Sequence, residues 1–191
     1  MRLSGAETAA DALRYRPVEV SGAYDPDHQF LVDNQVRGGK PGYLVLTPLR
    51  IAGTGMAVLV NRGWVPLGAD RARKPEVGFD TQAVHVSGIA DYFPRVGFKL
   101  RGAEIPGPGW PSVVQVPEPG PLAERLGYPV LPYQVLLDPA APDGYVRAWH
   151  EVSPDPGKNR GYALQWFLFA TVAAVLYVRH GLKAGTKPPT P

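Results

Sequence analysis

Seventeen consecutive residues, YALQWFLFATVAAVLYV at positions 162–178, carry no charge. As a helix they reach about 26 Å at a rise of about 1.5 Å per residue, close to the roughly 30 Å hydrocarbon core of a bilayer. A core helix of a soluble protein needs only one apolar stripe. A helix that is apolar on every side has little to bury against in a chain of 191 residues. The run therefore predicts a transmembrane helix over residues 158–180. Tyr162 and Trp166 near one end and Tyr177 near the other match an aromatic belt. Residues 179–191 hold three Lys or Arg and no acid, against Lys158 and Arg160 before the run. The positive-inside rule then puts the tail, residues 181–191, in the cytoplasm and everything earlier on the outer face. Residues 1–15 contain no apolar signal region. Export of the preceding part thus predicts a further transmembrane helix ahead of Met1.

The rest of the chain reads as β. Gly and Pro number 22 each, about twice the usual share, which favours turns and short strands over a helical bundle. After a leading segment with a short helix near residues 9–13, residues 16–157 form the expected β-domain. RPVEVSGAY (16–24) alternates, with Val18, Val20 and Tyr24 as core candidates. Asp25-Pro26-Asp27 signals a hairpin into HQFLVDNQV (28–36). RGGKPG (37–42) reads as a turn or loop. YLVLTPLRI (43–51) and MAVLVNRGWV (56–65) read as a hairpin across Ala52-Gly53-Thr54-Gly55. QAVHVSGIADYF (82–93) alternates again, and Gly88 marks a candidate bulge. Residues 94–111 read as a long loop and SVVQV (112–116) as a short strand. PEPGPLAERLGY (117–128) holds a helix stopped at Gly127. VLPYQVLLD (130–138) and GYVRAW (144–149) close an antiparallel barrel or sandwich.

Several chemistries are disfavoured at once. With no cysteine there is no disulfide, thiolate metal site or covalent c-type haem. The four histidines, His28, His85, His150 and His180, show no metal-ligand spacing. No G-x-S-x-G elbow is present, and Gly38-Gly39 runs into Pro41 rather than a helix, so hydrolase and phosphate-loop readings lack support. The net charge is only +3 and the basic residues form no stripe, which argues against nucleic acid.

Two stretches are not generic. One is Val58-Leu59-Val60-Asn61-Arg62-Gly63-Trp64-Val65-Pro66, and the other is Gly161-Tyr162-Ala163-Leu164-Gln165-Trp166-Phe167. Together with Leu13-Arg14-Tyr15-Arg16-Pro17-Val18, Val20, Gly22, Gly42-Tyr43 and Thr47-Pro48, the chain resembles the Surfeit locus protein 1 family of cytochrome c oxidase assembly factors. The resemblance runs from Leu13 to Val178. It implies a β-rich domain on the outer face of the inner membrane, held between two transmembrane helices, of which this chain carries the second. It further implies a non-enzymatic role in maturing oxidase subunit I, with haem A synthase and membrane lipid as other partners. In bacterial members that role is linked to binding haem a and passing it on. Family members commonly place a histidine, a proposed haem ligand, three residues before the tyrosine of the second motif. This chain has Asn159 there, and an amide is a poor iron ligand beside imidazole.

The residues themselves suggest roles. Asn61-Arg62-Gly63-Trp64 follows an apolar run and reads as a strand end. Gly63 permits a bulge or close backbone approach there, and would turn Arg62 and Trp64 toward a partner or the bilayer surface. The Arg62 guanidinium suits a haem propionate, although a solvated or lipid-facing arginine is the plainer reading. Trp64 is expected to anchor packing between the domain and the helix. On the last helix, Asn159, Tyr162, Ala163, Trp166, Ala170 and Ala173 share one face, a contact surface for another helix or for haem a, or simply an interface belt. Gln165 lies off that stripe and either snorkels or bonds a neighbouring helix. His150 is the remaining candidate iron ligand, and His180 reads as an interfacial anchor. A membrane scaffold that stabilises oxidase subunits without touching haem is the competing reading.

Overall fold

A computed structural model describes residues 1–5, 10–68, 73–78, 83–95, 97, 99–142, 144–149 and 156–184. The chain divides into two units, Met1–Trp149 and His150–Pro191. The first contains α1 (Ala10–Leu13), β1 (Pro17–Tyr24), β2 (Phe30–Arg37), β3 (Lys40–Ile51), β4 (Ala57–Pro66), β5 (Ala83–Asp91), β6 (Ser112–Val114), α2 (Pro119–Leu126) and β7 (Val130–Leu137). The second contains α3 (Pro156–Ala184).

The strands follow the order β1-β5-β7-β4-β3-β2-β6, and β1 also pairs with β3. That last pairing closes β1, β5, β7, β4 and β3 into a five-stranded barrel. β3 makes the closure possible because it is long. Its first half, up to Leu46, pairs with β2, while Leu49, Arg50 and Ile51 pair with β1. Its other edge pairs with β4. Where β1 crosses onto β3, a Cβ on Gly22 would lie 2.1 Å from the Arg50 carbonyl oxygen, so only glycine lets the two backbones meet.

The barrel interior is filled by Val18, Val20, Leu49, Ile51, Val58, Val60, Val86, Leu131, Tyr133, Val135 and Leu137, with Leu3 and Leu13 packed against them. A second cluster lies on the opposite face of β3 and β4, where Phe30, Val32, Leu46, Leu59, Phe93 and Val114 meet Leu122 of α2. Every residue of β4 from Ala57 to Val65 is therefore buried. A strand covered on both faces reads as a continuous apolar run, as Ala57-Val58-Leu59-Val60 does before the buried polar pair Asn61-Arg62. Leu122 is fully buried, worth about 1.5–3 kcal/mol by its side-chain area alone. α2 ends at Gly127, whose φ of 76° is left-handed and whose N–H bonds the Ala123 carbonyl.

The structure corrects several expectations. β4–β7 and β2–β6 are parallel, so the sheet is mixed rather than antiparallel; hydrophobic alternation carries no strand direction. β1 and β2 do not form a hairpin across Asp25-Pro26-Asp27, because β1 pairs with β5 and β3 instead. The hairpin lies one strand later. Gly38 and Gly39, with φ of 55° and 75°, make a two-residue turn in which Arg37 faces Lys40. Lys40, Pro41 and Gly42 accordingly belong to β3, not to a loop. Gly88 marks no bulge; its register with β1 and β7 is regular, and a Cβ there would lie 2.2 Å from the Leu136 carbonyl oxygen. β6 stops at Val114, since the Gln115 and Val116 N–H groups turn to the Ala103 carbonyl. Residues 144–149 form an isolated bridge, Trp64 with Val146, and not a strand.

α3 contains 21 residues, Arg160–His180, long and apolar enough to cross a membrane. Its apolar side chains are exposed throughout, with Trp166 at 70% and Phe167 at 73%. That fits membrane association.

Gly22→Val and Gly88→Val are each expected to destabilise the barrel by at least about 1–3 kcal/mol through overpacking against backbone. Gly120→Ala, where a Cβ meets nothing within 4 Å, is expected to leave stability unchanged or slightly raised. Urea unfolding of the detergent-solubilised chain, followed by tryptophan fluorescence, measures all three.

Candidate functional site

The first motif lies in the second half of β4. Leu46 faces Asn61 and Leu44 faces Trp64 across the β3–β4 pairing. Arg62 and Gly63 together therefore oppose the single residue Val45, a β-bulge. Gly63 sits at φ 113°, a left-handed value that favours glycine. A Cβ on it would also lie 2.8 Å from the Val146 carbonyl oxygen and 2.9 Å from Arg147 Cγ. Both expected roles of Gly63, bulge and close approach, are thus present together.

The bulge does not turn its neighbours outward. Arg62 is 2% exposed. Its Nη1 donates to Gln29 Oε1 at 3.4 Å and to the Val77 carbonyl at 3.3 Å. Its guanidinium lies 5.1 Å from the Tyr145 ring centroid. Gln29, itself buried, donates through Nε2 to the Pro26 and Val77 carbonyls and accepts from Thr47 Oγ1 at 2.8 Å. A buried charge is costly unless it is hydrogen-bonded, and this set of acceptors supplies that need. The solvated or lipid-facing Arg62 of the sequence reading is replaced by a buried one, and a propionate would have to displace protein to reach it.

Asn61 and Trp64 extend the same lattice. Asn61 Nδ2 donates to Gln134 Oε1 at 3.0 Å, and Asn61 Oδ1 accepts from the Gly63 N–H at 3.1 Å. Gln134 Nε2 then donates to the Tyr92 carbonyl at 2.7 Å. The Trp64 backbone exchanges both bonds with Val146, and Tyr145 N–H donates to the Arg62 carbonyl at 2.7 Å. The Trp64 indole, 8% exposed, donates to the Gln35 carbonyl at 3.0 Å. Trp64 packs within its own unit, against β2 and residues 145–146. Sequence reasoning missed Gln29, Thr47 and Gln134. Their signal was present: a lone polar residue inside an apolar strand must find a buried partner.

The second motif lies on α3. Asn159 falls in its first turns, and Tyr162, Gln165 and Trp166 follow on an exposed surface. Tyr162 is 63% exposed, and the Trp166 ring meets Phe169 edge-on at 6.1 Å. Thr171 Oγ1 donates back to the Phe167 carbonyl at 2.8 Å, which satisfies its hydroxyl within the helix. Asn61, Arg62, Gly63 and Trp64 belong to the first unit, and Asn159, Tyr162, Gln165 and Trp166 to the second. His150 lies outside the described residues.

A haem fits the second motif only in part. Tyr162 and Trp166 offer exposed aromatic surface suited to a flat apolar ring system, but neither supplies an axial imidazole. Among the described residues, His28 Nδ1 is held by Asp25 at 2.7 and 2.9 Å, and His85 contacts Ser21 and Glu19. His180 is on α3 but lies about 27 Å along the helix from Tyr162. No cluster of three His, Cys, Asp or Glu suited to a metal occurs among the described residues. Elsewhere in the barrel, Asp25 also accepts from Tyr128 at 2.9 Å. Burial, and then that carboxylate, push the Tyr128 phenol above its ordinary value, so it remains a neutral donor at physiological pH.

A family model described as the SURF1 family matches residues 2–171. No curated protein matches the chain.

Arg62→Ala and Asn61→Ala are each expected to cost about 2–4 kcal/mol, as broken buried polar networks do. Urea unfolding measures the loss, and an Arg62→Ala chain of unchanged stability would contradict a structural role for the guanidinium.

Proposed function

This chain belongs to the SURF1 family, a family linked to cytochrome oxidase assembly, and on that premise we propose that it assists maturation of subunit I of the haem-copper cytochrome c oxidase. The observation that carries this reading is the extent of the family match, which takes in the whole barrel and the first part of the apolar helix, to residue 171. In this proposal α3 crosses the inner membrane, the barrel stands on the outer face, and the tail carrying Arg179, His180 and Lys183 is cytoplasmic.

The working surface in lipid is the face of α3 that carries Tyr162, Ala163, Trp166, Ala170 and Ala173. Small residues let helices approach closely where no hydrophobic drive exists between them. The aromatic pair at one end fixes the depth of the helix and gives a partner helix something to pack on. Gln165, in an otherwise uncharged run, bonds a polar group of that partner, since an unmet amide in hydrocarbon is costly.

A specific observation favours a scaffold over a haem carrier. The position of the family histidine holds Asn159, and the one described imidazole on α3, His180, lies about 27 Å along the helix from Tyr162. The chain stabilises subunit I by protein contact, and an axial ligand for haem a would have to come from a position other than 159, such as His150.

Affinity purification of the full chain from cells that make haem A tests this. Subunit I is expected to copurify, with haem a well below one equivalent. A stoichiometric haem a band would restore the carrier reading, and absence of subunit I would overturn both. Trp166→Ala is expected to lower assembled oxidase severalfold more than Arg179→Ala; equal oxidase levels in the two variants would contradict the contact face.

A further inference from the structure

The β2–β3 hairpin is built to be exposed. Val36 is 69% exposed, and Gly38, Gly39, Lys40 and Pro41 are exposed beside it. This is not looseness. Arg37 Nη2 donates to the Ala148 carbonyl at 2.8 Å, and the Trp64 indole holds the Gln35 carbonyl. The same bonds bring residues 144–149 alongside the hairpin, with Val146 at 50% exposure. Arg147 Nη1 donates to the Asp138 carbonyl at 2.8 Å. Both bonds go to backbone carbonyls, and Asp138, whose carbonyl holds Arg147, is the one acid among these partners. Residues 34–43 and 144–149 contain Arg37, Lys40 and Arg147 but no Asp or Glu.

Other exposed patches on the barrel differ. Leu100 and Ile105, 61% and 67% exposed, stand among Lys99, Arg101, Glu104 and Glu118, whose formal charges cancel, with Lys99 ion-paired to both acids. Arg14, beside the exposed Tyr15, is paired to Asp91 at 3.3 Å. Of these three patches, the hairpin tip with residues 144–149 is the one that combines exposed aliphatic groups with a net positive formal charge. It is also where the chain leaves the barrel: the apolar span starts at Arg160, eleven residues after Trp149.

We propose that the tip of the β2–β3 hairpin and residues 144–149 form the surface by which the barrel rests on an anionic phospholipid bilayer. The proposal relies on the reading that α3 spans that bilayer. Val36, Pro41 and Val146 enter the headgroup boundary, the exposed Lys40 meets lipid phosphate, and the half-buried Arg37 and Arg147 add positive charge behind it. A cation brought to an anionic surface raises affinity about fivefold. Gly38 and Gly39 present no side chain, and a Cβ on either meets nothing within 4 Å, so the turn itself can approach the headgroups closely.

The chain has no cysteine, so single labels are clean. Full-length Val36→Cys, Val146→Cys, Ile105→Cys and Phe169→Cys chains would carry an environment-sensitive fluorophore. Each would be reconstituted in three-to-one phosphatidylcholine and phosphatidylglycerol vesicles with headgroup- or tail-nitroxide lipids. Labels at Val36 and Val146 are expected to be quenched by the headgroup nitroxide and shielded from aqueous iodide, while Ile105 stays open to iodide. Quenching at Val36 should fall severalfold in pure phosphatidylcholine and in a Lys40→Glu background. A Val36 label as open to iodide as Ile105, or shielded without lipid quenching, overturns the proposal while leaving the assembly role standing. A Phe169 label unquenched by the tail nitroxide removes the membrane-spanning reading itself.

Discussion

A buried guanidinium organises this barrel. Arg62 lies inside the protein, and a charge there persists only if acceptors surround it. Those acceptors come from segments far apart in sequence: Gln29 before β2, the Val77 carbonyl before β5, and the ring of Tyr145 after β7. Meeting that requirement fixes the turn that enters β2, the approach to β5, and the last stretch of the unit at once. Asn61 does the same for the parallel neighbour of β4 through Gln134. The bulge at Gly63 then lets residues 145–147 close over the strand, which no side chain at that position would allow.

The most specific motif of the chain is therefore a structural one. Its residues look like a binding constellation, an amide, a guanidinium and an indole in a row, yet all three groups are spent on the protein's own backbone and amides. What is left exposed is different in kind. α3 presents aromatic and small side chains along a bilayer-length helix, and the barrel presents its basic hairpin tip. The contact role proposed above needs a rigid body and an exposed apolar face, and the two motifs supply one each.

Much of this was legible in the sequence because periodicity reports burial. α3 followed from an uncharged run, α2 from two leucines and a glycine stop, and the β3–β4 hairpin from two apolar runs across a small link. Pairing was less legible. Asp25-Pro26-Asp27 has turn chemistry, but β3 is long enough to serve both β1 and β2, and it took the partner that a local hairpin would have had. The parallel β4–β7 contact was invisible because alternation gives a face and not a direction. Arg62 was misplaced for a related reason. A charged residue after four apolar ones suggests a strand leaving the core, whereas β4 continues through its bulge to Pro66, and the compensating polar groups lie on other strands.

Whether this protein is needed to build cytochrome c oxidase can be measured directly. The readout is the a-type haem spectrum, with the subunit I content, of membranes from cells lacking the chain and from the same cells complemented with it. Both signals are expected to fall severalfold together in the deletion and to return with the full chain. Membranes that keep a normal a-type spectrum and normal subunit I in its absence would contradict the assembly role.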